Sequence, residues 1–146
     1  MKILLDACAW FAATDSPEGG AGRILDMATD QALFRIVISP TIFRQAGRNI
    51  RNKGYSEALT RFREAILSTM VRFIPDPDES EMDKWREFVV SEDLIIVAAA
   101  MKAKVDGLVT LDSAHLLSEV VKSRVSVPIH TPGSFLKWWK VRKKTG

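Results

Sequence analysis

The sequence contains one cysteine, Cys8, and only two histidines in 146 residues. A single cysteine excludes an internal disulfide, and the chain has no cysteine and histidine cluster with the spacing of a zinc site. Both absences are typical of a protein from a reducing compartment. We expect Cys8 to be a small buried residue and not a reactive thiol.

Long apolar runs are also missing. No segment approaches the roughly 18 apolar residues that a membrane-spanning helix needs, and the first residues do not have the layout of a signal peptide. We therefore expect a cytoplasmic protein with no membrane segment. With 47% hydrophobic and 27% charged residues, the chain predicts one domain over 1–146, including a basic tail over about 137–146.

Charge is unevenly distributed, although the net charge is only +3. Seven basic side chains lie within 44–72 beside two acids, and seven more follow Glu119 with no further acid. By contrast, residues 76–93 contain eight acids and two bases. This separation predicts a basic surface that binds a polyanion such as a nucleic acid backbone. The alternative is that these charges lie on ordinary solvated helix faces.

Short apolar runs of strand length alternate with helical patterns along the chain. Strands are expected near 3–5, 34–38, 71–74, 107–111 and 125–129, and helices near 21–30, 40–52, 56–70, 80–89, 91–101, from 113, and from 131. No tight hairpin signal lies between the strands. The pattern predicts an α/β fold of three layers, with a mainly parallel central sheet flanked by helices.

Three aspartates occupy notable positions in this pattern. Asp6 and Asp112 each follow a short apolar strand, and Asp93 lies in the first turn of a very apolar helix for which Ser91 is the expected N-cap. In open α/β sheets, ligands bind at the carboxyl ends of the strands, so the three carboxylates could meet there. The simpler alternative is that Asp6 and Asp93 only cap helices.

Carboxylates that converge repel one another and raise each other's pKa unless a cation neutralises them. A cluster of oxygen ligands favours Mg²⁺ or Mn²⁺ over Zn²⁺. Such ions support the hydrolysis of phosphodiesters. An acidic metal site within a basic surface would suit the cleavage of a nucleic acid.

Five segments of this sequence resemble the PIN domain, the nuclease fold of many VapC-like toxins of prokaryotic toxin-antitoxin pairs. The most specific segment is 106–116 (DGLVTLDSAHL), which is similar to the family's Thr-x-Asp strand end and the His-Leu that follows it. The others are 3–6 (ILLD), 38–40 (ISP), 93–100 (DLIIVAAA) and 127–136 (VPIHTPGSFL). Together they span nearly the whole chain.

The resemblance implies an Mg²⁺- or Mn²⁺-dependent endoribonuclease with Asp6, Asp93 and Asp112 as metal ligands. Thr110 would hydrogen-bond near the metal, although a β-branched residue is also ordinary in a strand. An RNA substrate, an antitoxin partner and a homodimer are further expectations of this resemblance. The expected RNA-binding residues are Arg44, Arg48 and Arg51.

The sequence departs from the family pattern at two positions. Gln45 aligns with a glutamate that the family usually has, and Cys8 stands where a serine, threonine or asparagine is usual. Gln45 is therefore expected to belong to the catalytic site as an outer or weak ligand. A glutamine keeps an oxygen donor but removes a charge, which should lower the affinity for the metal and could remove a second ion. This change motivates an alternative function, a degenerate PIN domain that binds RNA or a protein without cleaving RNA.

Other functional interpretations have less support. The histidines His115 and His130 are expected to be structural, since neither has a serine or cysteine partner for nucleophilic catalysis. The stripe Phe135, Trp138 and Trp139 has the spacing of a helix face that docks on the core. An unrelated phosphotransfer or receiver-like domain is a weaker third alternative, because the lysine and serine or threonine set of such chemistry is missing.

Overall fold

The computed structural model describes residues 1–145 of the chain; Gly146, the end of the predicted basic tail, lies outside the described residues. These residues form a five-stranded, entirely parallel sheet with the strand order β3-β2-β1-β4-β5. The strands are β1 (Lys2–Leu5), β2 (Arg35–Ile38), β3 (Val71–Phe73), β4 (Gly107–Val109) and β5 (Ile129–His130). The predicted α/β class with a parallel sheet is confirmed.

Helices connect and flank the strands. They are α1 (Ala7–Asp15), α2 (Gly20–Thr29), α3 (Pro40–Lys53), α4 (Ser56–Ile66), α5 (Glu79–Asp83), α6 (Leu94–Ala103), α7 (Glu119–Arg124) and α8 (Pro132–Thr145), and a short 3₁₀ helix spans Ser91–Asp93. No helix within residues 1–145 is both long enough and apolar enough to cross a membrane.

The central strand β1 is covered on both faces. Its residues Ile3, Leu4 and Leu5 have no solvent exposure, and successive side chains of a strand point to opposite faces. Trp10 on α1 is also fully buried and contacts Phe62 edge to face, with 5.4 Å between the ring centroids. The apolar opening of the sequence therefore forms the centre of the core.

Four segments differ from the sequence-based expectation. Helix α1 begins at Ala7, directly after its N-cap Asp6, where the apolar pattern predicts no helix and only the capping alternative for Asp6 implies one. Its residues are mostly small or apolar, so the one-sided pattern that reveals a surface helix is missing. The helix expected from Ser113 begins only at Glu119, and turns occupy 113–117. The predicted last strand and the acidic helix are also shorter, at Ile129–His130 and Glu79–Asp83.

Candidate metal centre

The carboxyl ends of β1 and β4 bring the first and last of the three aspartates together. These strands are parallel neighbours, with Leu5 paired to Val109. Asp6 and Thr110 therefore leave the sheet side by side, and the backbone N–H of Asp6 donates to the carbonyl of Val109 at 3.2 Å. Parallel pairing thus joins residues that are 104 positions apart in the sequence.

Asp6 is buried, with 5% of its surface exposed, and both of its carboxylate oxygens accept hydrogen bonds. Oδ1 accepts from the backbone N–H of Ala9 at 2.8 Å, so Asp6 does cap α1. Oδ2 accepts from the hydroxyl of Thr110. Burial, with a smaller contribution from the charge of Asp112, raises the pKa of Asp6.

Thr110 links two of the aspartates. Its hydroxyl donates to Asp6 and accepts from the backbone N–H of Asp112 at 2.9 Å. The residue is fully buried, and its hydroxyl hydrogen is committed to Asp6. Thr110 therefore does more than fill a strand position, because it fixes the carboxylate of Asp6 relative to the loop that carries Asp112.

Asp93 reaches the site from the segment between β3 and β4. It ends the short 3₁₀ helix and precedes α6, and its side chain makes no capping hydrogen bond. Asp93 itself occupies the N-cap position of α6, and Ser91, the expected N-cap, lies inside the 3₁₀ helix, whose N-cap is Val90. Asp93 is therefore at an N-cap position, but no side-chain hydrogen bond supports the simpler interpretation that capping is its only role.

The Oδ2 atom of Asp93 is buried and has no hydrogen-bond partner within the described part of the chain. Burial and the neighbouring charge of Asp112 raise the pKa of Asp93 to about 6. A buried carboxylate oxygen without a donor is costly, and the usual remedy is a proton or a bound cation. The side chain is aimed at Asp112 and retains 14% exposure, so an ion could reach it.

Asp112 and His115 complete the group. The backbone N–H of His115 donates to Oδ1 of Asp112 at 3.1 Å, and this hydrogen bond does not involve Oδ2. The Nδ1 atom of His115 lies 3.4 Å from Oδ2 of Asp112 and 3.9 Å from Oδ2 of Asp93. His115 was expected to be structural, but its ring is half exposed and faces the carboxylates.

The ligand atoms of Asp93, Asp112 and His115 all lie within 4.8 Å of one another. Two carboxylates and an imidazole are suitable ligands for a divalent cation, and the buried Oδ2 atom of Asp93 accepts no hydrogen bond from residues 1–145. The residues therefore fit a metal ion. Asp6 lies outside this trio but belongs to the same cluster, because its charge acts on both Asp93 and Cys8.

Cys8 is exposed, which corrects the expectation of a buried residue. The buried face of α1 consists of Ala9, Trp10, Ala13 and Thr14, and Cys8 lies outside that face. Partial burial of the sulfur, followed by the charges of Asp6, Asp112 and Asp93, raises the pKa of the thiol. The thiol is therefore kept protonated and poorly nucleophilic at neutral pH.

Gln45 lies on α3, the helix that follows the carboxyl end of β2, and is partly exposed. Ser39 is the N-cap of this helix and Pro40 is its first residue, as the sequence predicts. Because β2 is parallel to β1 and paired with it, α3 begins at the same edge of the sheet as the aspartates. Gln45 is in the second turn of that helix.

The predicted RNA-binding residues Arg44, Arg48 and Arg51 are all exposed on α3. Arg44 is partly engaged, since it donates to the hydroxyl of Thr41 at 3.1 Å and lies 4.0 Å from Asp76. Asp76 in turn accepts from the backbone and hydroxyl of Thr41, at 3.1 and 2.8 Å.

Asp76 is a fourth carboxylate near this edge of the sheet, but its negative charge is stabilised by hydrogen bonds from neighbouring residues. Burial would raise its pKa, yet the hydrogen bonds from Thr41 and Ser39 and the charge of Arg44 hold that pKa below the usual value. Asp76 is therefore stable as an anion at the start of α3 and needs no cation.

The aromatic residues of α8 dock on the core, as the sequence predicts. Phe135 is fully buried, and Trp139 contacts Phe34 edge to face with 5.2 Å between ring centroids. His130 packs beside Phe135 and Trp138 and lies 3.3 Å from the hydroxyl of Ser134. These contacts agree with the expected structural roles.

No protein-family model matches this sequence, and no curated protein does. Solved structures do match. VapC20 of Mycobacterium tuberculosis, a toxin that cleaves the sarcin-ricin loop, has a TM-score of 0.57 at 18% identity, over 77% of this chain and 91% of its own. PAE2754 of Pyrobaculum aerophilum has a TM-score of 0.60 at 15% identity, over 94% and 88% of the two chains.

A third structure is VapBC2 of Rickettsia felis bound to a DNA fragment of its promoter. It matches with a TM-score of 0.60 at 14% identity, over 89% of this chain and 97% of that one. The chain has a PIN-domain fold. The resemblance seen in the sequence is thereby confirmed for the fold. In this PIN fold, Asp6, Asp93 and Asp112 are the acidic residues that meet at one edge of the sheet.

Proposed function

We propose that this protein is a metal-dependent endoribonuclease that hydrolyses RNA phosphodiester bonds. The observation that carries the proposal is the convergence of Asp93 and Asp112 on one point, with an oxygen of Asp93 left buried and unpaired. A bound cation would offset the cost of burying that oxygen without a hydrogen-bond partner. The PIN fold and its likeness to VapC20 support RNA as the substrate.

In this proposal, Asp93 and Asp112 hold a divalent ion, Mg²⁺ or Mn²⁺, through their free oxygens. Asp6 adds negative potential, and Thr110 holds its carboxylate in place. When bound, the ion would polarise a phosphoryl oxygen and help to activate water. Arg48 and Arg51, exposed on α3, would bind neighbouring phosphates.

A test follows from the oxygen ligands. The purified protein is incubated with structured and single-stranded RNAs and Mn²⁺, and the products are separated on a denaturing gel. We expect cleavage that EDTA abolishes. The control is Asp6→Asn. The asparagine can still accept the hydrogen bond from the backbone N–H of Ala9, but it carries no charge. If the wild-type protein cleaves no more RNA than this variant does, the nuclease proposal is wrong.

A second candidate function is RNA or protein binding without cleavage, and Gln45 favours it. Gln45→Glu discriminates between the two functions, because it adds a carboxylate on α3. If the natural protein is already a nuclease, the variant should change its cleavage rate by less than about tenfold. If the variant cleaves RNA in the presence of Mn²⁺ and the natural protein does not, the natural protein binds RNA or a protein partner without cleaving RNA.

The likeness to the VapBC2 assembly supports a further part of the proposal, that this protein is the toxin of a toxin-antitoxin pair. We propose a cytoplasmic homodimer that is held inactive by an antitoxin. A small DNA-binding protein encoded beside this gene, and its co-purification with the chain, would support the pairing. Inhibition of RNA cleavage by that protein would demonstrate it.

A further inference from the structure

His115 is the feature of the site that the proposed function does not use. It is one of only two histidines in the chain, and its side chain is 52% exposed. An exposed ring could turn toward the solvent, yet Nδ1 lies nearest to the two carboxylates that are proposed to hold the ion.

The distances place Nδ1 of His115 close to both carboxylates, at the position that a ligand of a shared ion would take. No hydrogen bond forms between Nδ1 of His115 and either carboxylate within the described residues, since the separations are 3.4 and 3.9 Å. Adjacent ligands of a six-coordinate ion with bonds of about 2.1 Å lie about 3.0 Å apart, and opposite ligands about 4.2 Å apart. The observed separations of 3.4 and 3.9 Å are longer than the adjacent-ligand distance, so a small movement of the His115 side chain toward the carboxylates would bring Nδ1 into the coordination sphere of a shared ion.

The backbone explains why the imidazole is held there. The N–H of His115 donates to Oδ1 of Asp112 at 3.1 Å, and the N–H of Leu117 donates to the carbonyl of Asp112 at 3.0 Å. These two bonds fold 112–117 into turns around the aspartate. The backbone of His115 is therefore held beside Asp112, and in the observed conformation Nδ1 lies 3.4 Å from Oδ2 of that residue.

We propose that His115 is a metal ligand through Nδ1, alongside Asp93 and Asp112. This inference rests on the proposed metal site and adds one nitrogen to it. Imidazole binds first-row transition metals better than it binds Mg²⁺, which strongly prefers oxygen. The nitrogen therefore makes the site selective for Mn²⁺ and similar ions over Mg²⁺.

Mn²⁺ is the probe, because its paramagnetism reports both occupancy and ligand type. Binding to the full-length protein is measured as loss of the free-ion signal in electron paramagnetic resonance. A nitrogen atom bound directly to Mn²⁺ is detected in a pulsed experiment, because its ¹⁴N nucleus modulates the electron spin echo of the bound ion. We expect ¹⁴N modulation in the wild-type protein, and a change to the ¹⁵N pattern when only histidine is ¹⁵N-labelled.

His115→Gln should remove the nitrogen modulation and weaken Mn²⁺ binding at least about tenfold, while Mg²⁺ binding measured by calorimetry changes less than about threefold. His130→Gln is the matched control, since it removes the other histidine, which contacts Phe135 and Trp138 instead. It should leave the modulation and the Mn²⁺ affinity unchanged.

Failure of this inference can be separated from failure of the proposed function. If Mn²⁺ binds, and Asp112→Asn abolishes that binding, but the wild-type protein shows no nitrogen modulation, ligation by His115 is refuted and the carboxylate site stands. Modulation that persists in His115→Gln refutes it equally. If the wild-type protein binds no Mn²⁺, both the metal site and the ligand are refuted.

Discussion

Replacing Asp112 with asparagine is expected to lower the rate of RNA cleavage by about a thousandfold or more. The amide cannot supply the negative charge that the ion needs, and loss of the ion removes several kcal/mol of transition-state stabilisation, where each 1.36 kcal/mol is about tenfold in rate. The fold should survive. Asparagine keeps an oxygen to accept from His115, and the hydrogen bond from residue 112 to Thr110 is made by the backbone.

The matched control is Asp106→Asn. Asp106 lies just before β4, at the opposite end of the same strand, and its Oδ2 accepts from the backbone N–H of Lys2 at 3.0 Å. Asparagine can still accept that bond, so cleavage should stay within about twofold. The measurement is the initial rate on one RNA in Mn²⁺, with urea denaturation to check stability. An Asp112→Asn protein that retains a tenth of the wild-type rate would show that Asp112 does not bind the ion.

The largest effect on stability is expected from Gly22→Ala. A Cβ atom at Gly22 would lie 2.2 Å from the carbonyl oxygen of Pro17 and 2.5 Å from its carbonyl carbon. Both are backbone atoms, so the added methyl group can be accommodated only by moving the turn before α2. Overpacking in a buried position costs roughly 1 to 3 kcal/mol, and a clash with backbone should reach the upper end.

Gly133→Ala is the control for this substitution. Gly133 is also in the first turn of a helix, α8, but an added Cβ would meet only the hydroxyl of Thr131, at 4.0 Å. Alanine favours helix over glycine by up to about 1 kcal/mol, so this variant should be at least as stable as the natural protein. Urea denaturation compares the two. Equal midpoints for the two variants would refute the tight approach of Pro17 to Gly22.

Most strands could be predicted from the sequence, and the reason is physical. A parallel sheet covered on both faces needs short continuous apolar runs, and Ile3, Leu4 and Leu5 form such a run. Helix α1 could not be predicted in this way. Its small residues lie against other elements on several sides, so its sequence has no polar face to give the helical period.

The aspartates could be predicted because each lies where an apolar element begins or ends. His115 could not be assigned, because its position depends on turns that the sequence analysis interpreted as a helix. A signal was present in its spacing of three residues after Asp112, within the segment that resembles the PIN family. Likewise, the exposure of Cys8 depends on which face α1 turns toward the core, and this could not be known before α1 itself was recognised.

The sheet has one more consequence, for how the protein behaves at high concentration. Its two outer strands have only three residues, Val71–Phe73, and two residues, Ile129–His130, and an exposed arginine, Arg72, lies in the middle of the first. Short, charged outer strands present few open amide groups to a neighbouring molecule. The sheet is therefore poorly suited to grow by the addition of a strand from a neighbouring molecule.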